Sequence, residues 1–116
     1  VKVIGRFDIG QSVVVRGGAV MAVEGIEGTD ATIRRAGQLV NGGIVVVKAT
    51  KPIQDLRFDL PAIGPDTVRA IAEVRGRVLA VEAGRTIVLD RAQMLALADE
   101  AEIAVVAVDP AAMGEA

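Results

Sequence analysis

Hydrophobic and polar positions change period several times along the chain. Ser12-Val13-Val14-Val15-Arg16 and Ala19-Val20-Met21-Ala22-Val23-Glu24 are β-rich runs separated by Gly17-Gly18, a pair that tolerates the positive φ of tight turns. They predict an antiparallel hairpin. From Thr29 to Val40 the period lengthens, placing Ile33, Ala36, Leu39 and Val40 on one helical face, with Thr29 or Asp30 as N-cap and Asn41-Gly42-Gly43 as a stop. Ile44-Val45-Val46-Val47 is a continuous β-branched run, the pattern of a central strand covered on both faces.

The second half is punctuated by proline. Alternation at Leu56, Phe58 and Leu60 predicts a short strand, and Gly64-Pro65-Asp66-Thr67 opens a helix running to Arg75, with Pro65 suited to its first turn. Arg77 to Val81 and Thr86 to Leu89 are two further strands around Glu82-Ala83-Gly84-Arg85. A helix from Asp90 or Arg91 to Ala101 precedes a last strand, Ile103 to Val108, and a frayed tail from Pro110. This alternation of strands and helices predicts an α/β fold: a mixed β-sheet with an antiparallel hairpin and about three helices packed on it. No internal repeat and no low-complexity segment interrupts it.

At 116 residues the chain is long enough for one core and too short for two, so residues 1–116 are expected to form a single layered domain. Phe7 and Phe58 are its only aromatic residues, which leaves the core to aliphatic side chains. The start, Val1-Lys2-Val3-Ile4-Gly5, has neither an initiator Met nor a signal-peptide pattern and reads as part of a longer chain. Its apolar runs are far shorter than the roughly 20 residues a membrane-spanning helix requires.

The net charge of −2 has no block of either sign, so no basic stripe for nucleic acid is present and none is expected as a partner. With no Cys and no His, a zinc site and a Cys/His nucleophile pair are excluded, and any metal would be held by oxygen, which selects Mg²⁺, Mn²⁺ or Ca²⁺. No serine or threonine has a histidine base, and no P-loop or dinucleotide fingerprint occurs.

The densest chemistry lies between Lys48 and Thr67. If Asp55 to Leu60 is extended, Asp55, Arg57 and Asp59 share one face and Leu56, Phe58 and Leu60 the other. Two carboxylates flanking a guanidinium can hold a divalent cation and clamp a phosphate, the parts that diphosphate hydrolysis requires. The same spacing also describes the polar outer face of an edge strand, with Arg57 paired to its neighbours. Glu24 to Asp30 is a second candidate, since a glycine-rich turn leads into a helix N-terminus where backbone N–H groups bind anions; plain capping explains Thr29 and Asp30 equally. Glu82 and Arg85 are a third, set at a strand-to-strand turn that reads alternatively as a simple hairpin with two exposed charges.

The strings Phe7-Asp8-Ile9-Gly10-Gln11-Ser12-Val13-Val14, Ala22 to Asp30, Lys51-Pro52 with Gln54 to Pro61, Gly64 to Thr67 and Val81 to Thr86 together resemble the C-terminal half of the LpxI-type UDP-2,3-diacylglucosamine diphosphatases. The resemblance covers almost the whole chain in order. It implies a two-domain enzyme of lipid A biosynthesis in Gram-negative bacteria, cytoplasmic and peripheral to the inner membrane, whose N-terminal Rossmann-like domain is a partner of the present one. The implied reaction is hydrolysis of UDP-2,3-diacylglucosamine to lipid X and UMP, with water attacking the phosphorus bonded to the sugar and Mg²⁺, or else Mn²⁺, as cofactor. The site is expected between the domains, which would leave this part inactive alone.

The family's essential aspartate is one of Asp55, Asp59 and Asp66, with Asp59 the first choice. Asp59 and Asp55 are the expected metal ligands. Lys51 and Arg57 are expected to neutralise diphosphate oxygens, and Gln54, Glu27, Gly28, Thr29, Asp30, Glu82 and Arg85 to contact substrate. A homodimer is compatible with this reading. Two alternatives from other classes are a non-catalytic ligand- or partner-binding module and a purely structural dimerisation domain.

Overall fold

The computed structural model describes residues 1–3, 9–50 and 60–109. Its main sheet has five strands: β1 (Ser12–Arg16), β2 (Ala19–Val23), β3 (Val45–Lys48), β5 (Val78–Glu82) and β7 (Ala104–Val108), in the order β2-β1-β3-β5-β7. A second, two-stranded sheet pairs β4 (Ala62–Ile63) with β6 (Ile87–Val88). Beyond a helical start at Lys2 and Val3, the helices among the described residues are α1 (Thr29–Gly37), α2 (Pro65–Glu73) and α3 (Arg91–Glu100). The expected α/β class, mixed sheet, hairpin and three helices are all present.

The hairpin forms where Gly17 and Gly18 take φ of 56° and 83°, and β1 pairs antiparallel with β2 on one side and with β3 on the other. From β3 onward the pairing is parallel, β3 to β5 and β5 to β7. The β-branched run at Ile44 to Val47 therefore does lie at the centre of the sheet.

Register decides which side chains meet the helices. Ala22, Val14, Val46, Leu79 and Val105 are neighbours across the five strands and so share a face. On that face they pack with Ile33 and Ala36 of α1, Val68 and Ile71 of α2, and Met94 and Ala98 of α3. The opposite face carries Val15, Val45, Val47, Val78, Ala80 and Val106, in register with one another or two residues apart. None of the three helices covers it, and Val106 is 39% exposed. The sheet is thus buried on its helix side through β1, β3 and β5, half-buried there at Val105, and half-buried over most of its other face, short of the two-sided cover that the apolar run at β3 suggested.

Four expectations need correction. The first helix ends at Gly37 rather than Val40, and Leu39, expected on its buried face, is exposed. Its N-cap is Gly28, not Thr29 or Asp30; with φ 90° and ψ 168° this position suits a residue lacking Cβ, and the Thr29 hydroxyl is bonded to Ser12 instead. The helix opened by Pro65 ends at Glu73, short of Arg75, which takes φ 58°. Finally, the strands around Glu82 to Arg85 do not pair as a hairpin, because β3 and β7 already occupy both edges of β5, so β6 turns away to pair in parallel with β4. The strand expected at Leu56, Phe58 and Leu60 falls mostly on residues 51–59, outside the described residues.

Candidate functional site

Because β2, β3, β5 and β7 run in the same direction, their C-terminal ends lie along one edge of the sheet, together with the start of β1. In open α/β sheets this carboxyl edge is where ligands bind. The sequence delivers to it Glu24 after β2, Ser12 at the start of β1, Lys48 and Thr50 at the end of β3, and Glu82 at the end of β5. Segment 51–59 leaves from Thr50 and returns at Leu60.

Glu82 organises one end of this edge. It is almost fully buried, and its Oε1 accepts hydrogen bonds from the Lys2 Nζ at 2.8 Å and from the Thr50 backbone N–H at 3.0 Å. Lys2 also donates to the Thr50 carbonyl at 2.9 Å, the Thr50 hydroxyl donates to the Arg85 carbonyl at 3.2 Å, and Arg85 Nε lies 3.8 Å from Glu82 Oε2. Burial alone would push the Glu82 carboxyl up, but the Lys2 ammonium and the Thr50 N–H outweigh it and hold the group below the usual carboxylate value. Glu82 is therefore an anion fixed by a cation and an amide. Glu82 and Lys2 together hold the Thr50 N–H and carbonyl.

The other end is built around α1. The Ser12 and Thr29 hydroxyls are hydrogen-bonded at 3.0 Å, and Glu24 accepts the Gln11 N–H at 3.1 Å. No side chain caps α1, so the first N–H groups of the helix face the edge without an intrahelical acceptor. Ser12 is paired with Lys48 across the sheet. The Lys48 ammonium donates to the Ala62 carbonyl at 2.9 Å. Burial lowers its pKa, against the opposing pull of the Glu24 and Asp30 carboxylates. The neck of the 49–61 segment is thus held twice, by Glu82 on Thr50 and by Lys48 on Ala62.

The candidates from sequence fall into three groups. Thr29 and Asp30, and Glu82 with Arg85, stand at the carboxyl edge. Glu27 sits on the same turn, but its Oε1 accepts the Gly25 N–H at 2.9 Å, the Thr32 hydroxyl at 3.1 Å and the Arg35 guanidinium at 3.2 Å. These donors, the Gly25 N–H foremost, lower its pKa and tie it to the loop and helix that also place Gly28. Asp66 lies apart, exposed on the first turn of α2 and bonded to Arg69 at 2.8 Å, beside an open cleft lined by Gly64, Thr67, Leu89 and Gln93. Lys51, Gln54, Asp55, Arg57 and Asp59 lie outside the described residues.

Among the described residues no three acidic side chains converge to hold a metal, and the expected ligands Asp55 and Asp59 lie outside them. A chain without Cys or His offers only oxygen, which suits a hard divalent cation. The sequence pattern gave no role to Lys2, Ser12, Lys48 or Thr50. Lys48 had a readable signal, since it ends the apolar run of a central strand, where a polar residue marks the carboxyl edge. Lys2 and Thr50 had none, because their partner Glu82 is 80 and 32 residues away.

A sequence model of the LpxI C-terminal domain matches residues 1–106. The chain is also 45% identical over 115 residues to the UDP-2,3-diacylglucosamine pyrophosphatase LpxI of Caulobacter vibrioides, an alignment that takes in 92% of this chain and 41% of that relative. The chain therefore spans about two fifths of the length of the curated relative it matches. With a match across nearly its whole length, and with the mixed sheet and carboxyl-edge cluster in place, the chain belongs to the LpxI C-terminal domain family.

Proposed function

We propose that this chain is the C-terminal domain of a longer enzyme that hydrolyses UDP-2,3-diacylglucosamine to lipid X and UMP in lipid A biosynthesis. The observation that carries the reading is its 45% identity to a relative named for that substrate. Two structural features support it. The carboxyl edge gathers hydroxyls, an ammonium and helix N–H groups, the donors that a diphosphate needs. The half-buried Val/Ala face of the sheet, exposed at Val106, is the kind of surface that a further domain or acyl chains would cover, in keeping with a chain that spans 41% of its relative.

In this reading Asp59, with Asp55, carries the essential carboxylate and would hold Mg²⁺ or Mn²⁺, which when bound supplies Lewis-acid neutralisation of the diphosphate. The chain's own residues do the rest. Lys51 and Arg57 pair with phosphoryl oxygens, Gln54 orients them, Thr29, Asp30 and the Gly28 turn present α1 to the substrate, and Glu82 with Arg85 holds the neck from which Lys51 departs. Water attacks the phosphorus bonded to the sugar, the bridging P–O bond breaks, and UMP leaves with that oxygen while its proton passes to solvent or a carboxylate. Contact with the cytoplasmic face of the inner membrane, where a diacylated substrate resides, belongs to the same proposal; among the described residues no helix is long and apolar enough to cross a membrane.

The test is release of UMP and lipid X by the full-length enzyme. Turnover that ceases with a chelator and returns with Mg²⁺ is expected. Turnover unaffected by the chelator removes the metal, and no turnover of this substrate removes the reading. A non-catalytic binding module would instead retain ligand without turnover and without metal.

A further inference from the structure

We propose that a groove beside α3 takes one acyl chain of the substrate and sets the chain length the enzyme prefers; the proposal rests on the hydrolase reading above. The groove lies on the helix side of the sheet, at its carboxyl edge. Val81 and Ala107 are partners across β5 and β7. They fall two residues beyond Leu79 and Val105, so alternation turns both toward the helices. The first turns of α3 bring Met94 and Leu95 beside them, and Val88 of β6 closes the far side.

The lining changes with depth. Met94 and Val81 are almost fully buried and form the floor, whereas Leu95 and Ala107 stand exposed along the walls. Polar groups keep to the rim. Arg91 opens α3 there, and the Thr86 hydroxyl donates to the Glu82 carbonyl at 2.9 Å. Glu82 belongs to both places, since its carboxylate holds Lys2 and the Thr50 N–H at the edge where the polar donors gather. A chain lying in the groove would thus leave its polar head at that edge, which is the layout of an acylated sugar phosphate.

Size selects the occupant. The groove has a volume of about 240 Å³, below the roughly 300–1,000 Å³ of a site that takes a whole ligand. An apolar cavity of about 150 Å³ accepts benzene, and on that scale the groove accommodates roughly ten carbons. That is much of one acyl chain and too little for two. A relative at 45% identity is named for a diacylated substrate, which supplies a chain of this kind.

The experiment uses the full-length enzyme as wild type, as Ala107→Phe, which fills the groove from its exposed wall, and as Leu95→Gln, which makes the opposite wall polar. It measures kcat/KM for UDP-2,3-diacylglucosamines of graded chain length, the dissociation constants of monoalkyl phosphates of graded length, and the thermal midpoint. In wild type each added methylene is expected to raise kcat/KM and alkyl phosphate affinity about two- to fourfold, up to roughly ten carbons in the groove, and then to have no further effect. Ala107→Phe is expected to lower kcat/KM for the long-chain substrate about tenfold or more and to flatten both length profiles at an unchanged thermal midpoint, with Leu95→Gln intermediate. If Ala107→Phe does not fold, Leu95→Gln alone decides. The proposal is overturned if the variants keep the wild-type length profiles, or if they lose activity equally at every chain length. It is also overturned if wild type shows no length dependence, the result expected when another part of the enzyme fills the groove. Alkyl phosphate binding that depends on length and on both residues, in an enzyme inert toward UDP-2,3-diacylglucosamine, would instead uphold the alkyl site and remove the hydrolase reading.

Discussion

Glu82 shows how much one buried carboxylate does here. Its partners come from the start of the chain and from the end of β3, so its replacement removes the Lys2 counter-ion and orphans the Thr50 N–H together. Loss of such a buried acceptor costs about 1–3 kcal/mol, and Glu82→Leu is expected to lower the unfolding free energy by that amount in a denaturant titration. The pH dependence has a definite sign. A carboxyl held below its usual value of 4.5 stabilises the fold above that pH and loses the contribution as pH falls through the folded value. Wild type should therefore lose more stability than Glu82→Gln between about pH 6 and about pH 3; parallel curves would show that the Lys2 pair contributes nothing. From sequence alone Glu82 was visible only as a charge beside a turn. Its burial depends on tertiary partners that no local pattern encodes, and the same holds for Lys48, whose ammonium donates to the Ala62 carbonyl 14 residues away.

Local chemistry decided which elements were legible. The hairpin followed from Gly17-Gly18, and α2 from Gly64-Pro65, because positive φ and a proline-compatible first turn are properties of single residues. Strands β4 and β6 were not readable as partners: two residues each carry no period, and their pairing follows from the occupied edges of β5. Helix α1 was placed correctly but begun and ended wrongly, since Leu39 and Val40 continue the apolar period beyond the point where the chain leaves the helix at Gln38. Its N-cap gives a prediction at this scale. Gly28 at φ 90° and ψ 168° occupies backbone space that other residues reach only with about 1–3 kcal/mol of strain. Gly28→Ala should reduce stability within that range, measured by chemical denaturation, and should loosen the Ser12–Thr29 contact at the edge. An unchanged unfolding midpoint would mean that the turn relaxes freely.

Across the whole molecule, parallel pairing from β3 to β7, with β2 in the same sense, turns a set of separate sequence motifs into one edge. Ser12, Glu24 to Asp30 and Glu82, from motifs far apart in the chain, all stand at the carboxyl side of the sheet. The family resemblance was legible in the motif strings before any coordinate, while the roles within it were not: spacing puts Asp55, Arg57 and Asp59 on one face only if their segment is extended, and does not say what they would face. Asp66, equal to them as a motif residue, is bonded to Arg69 on an exposed helix turn. The most direct measurement is kcat of the full-length enzyme carrying Asp59→Ala, with its thermal midpoint as a control for folding. A fall of about 100-fold or more at an unchanged midpoint is expected if the carboxylate of that segment serves the reaction at this edge; normal turnover by Asp59→Ala would contradict the placement of the site.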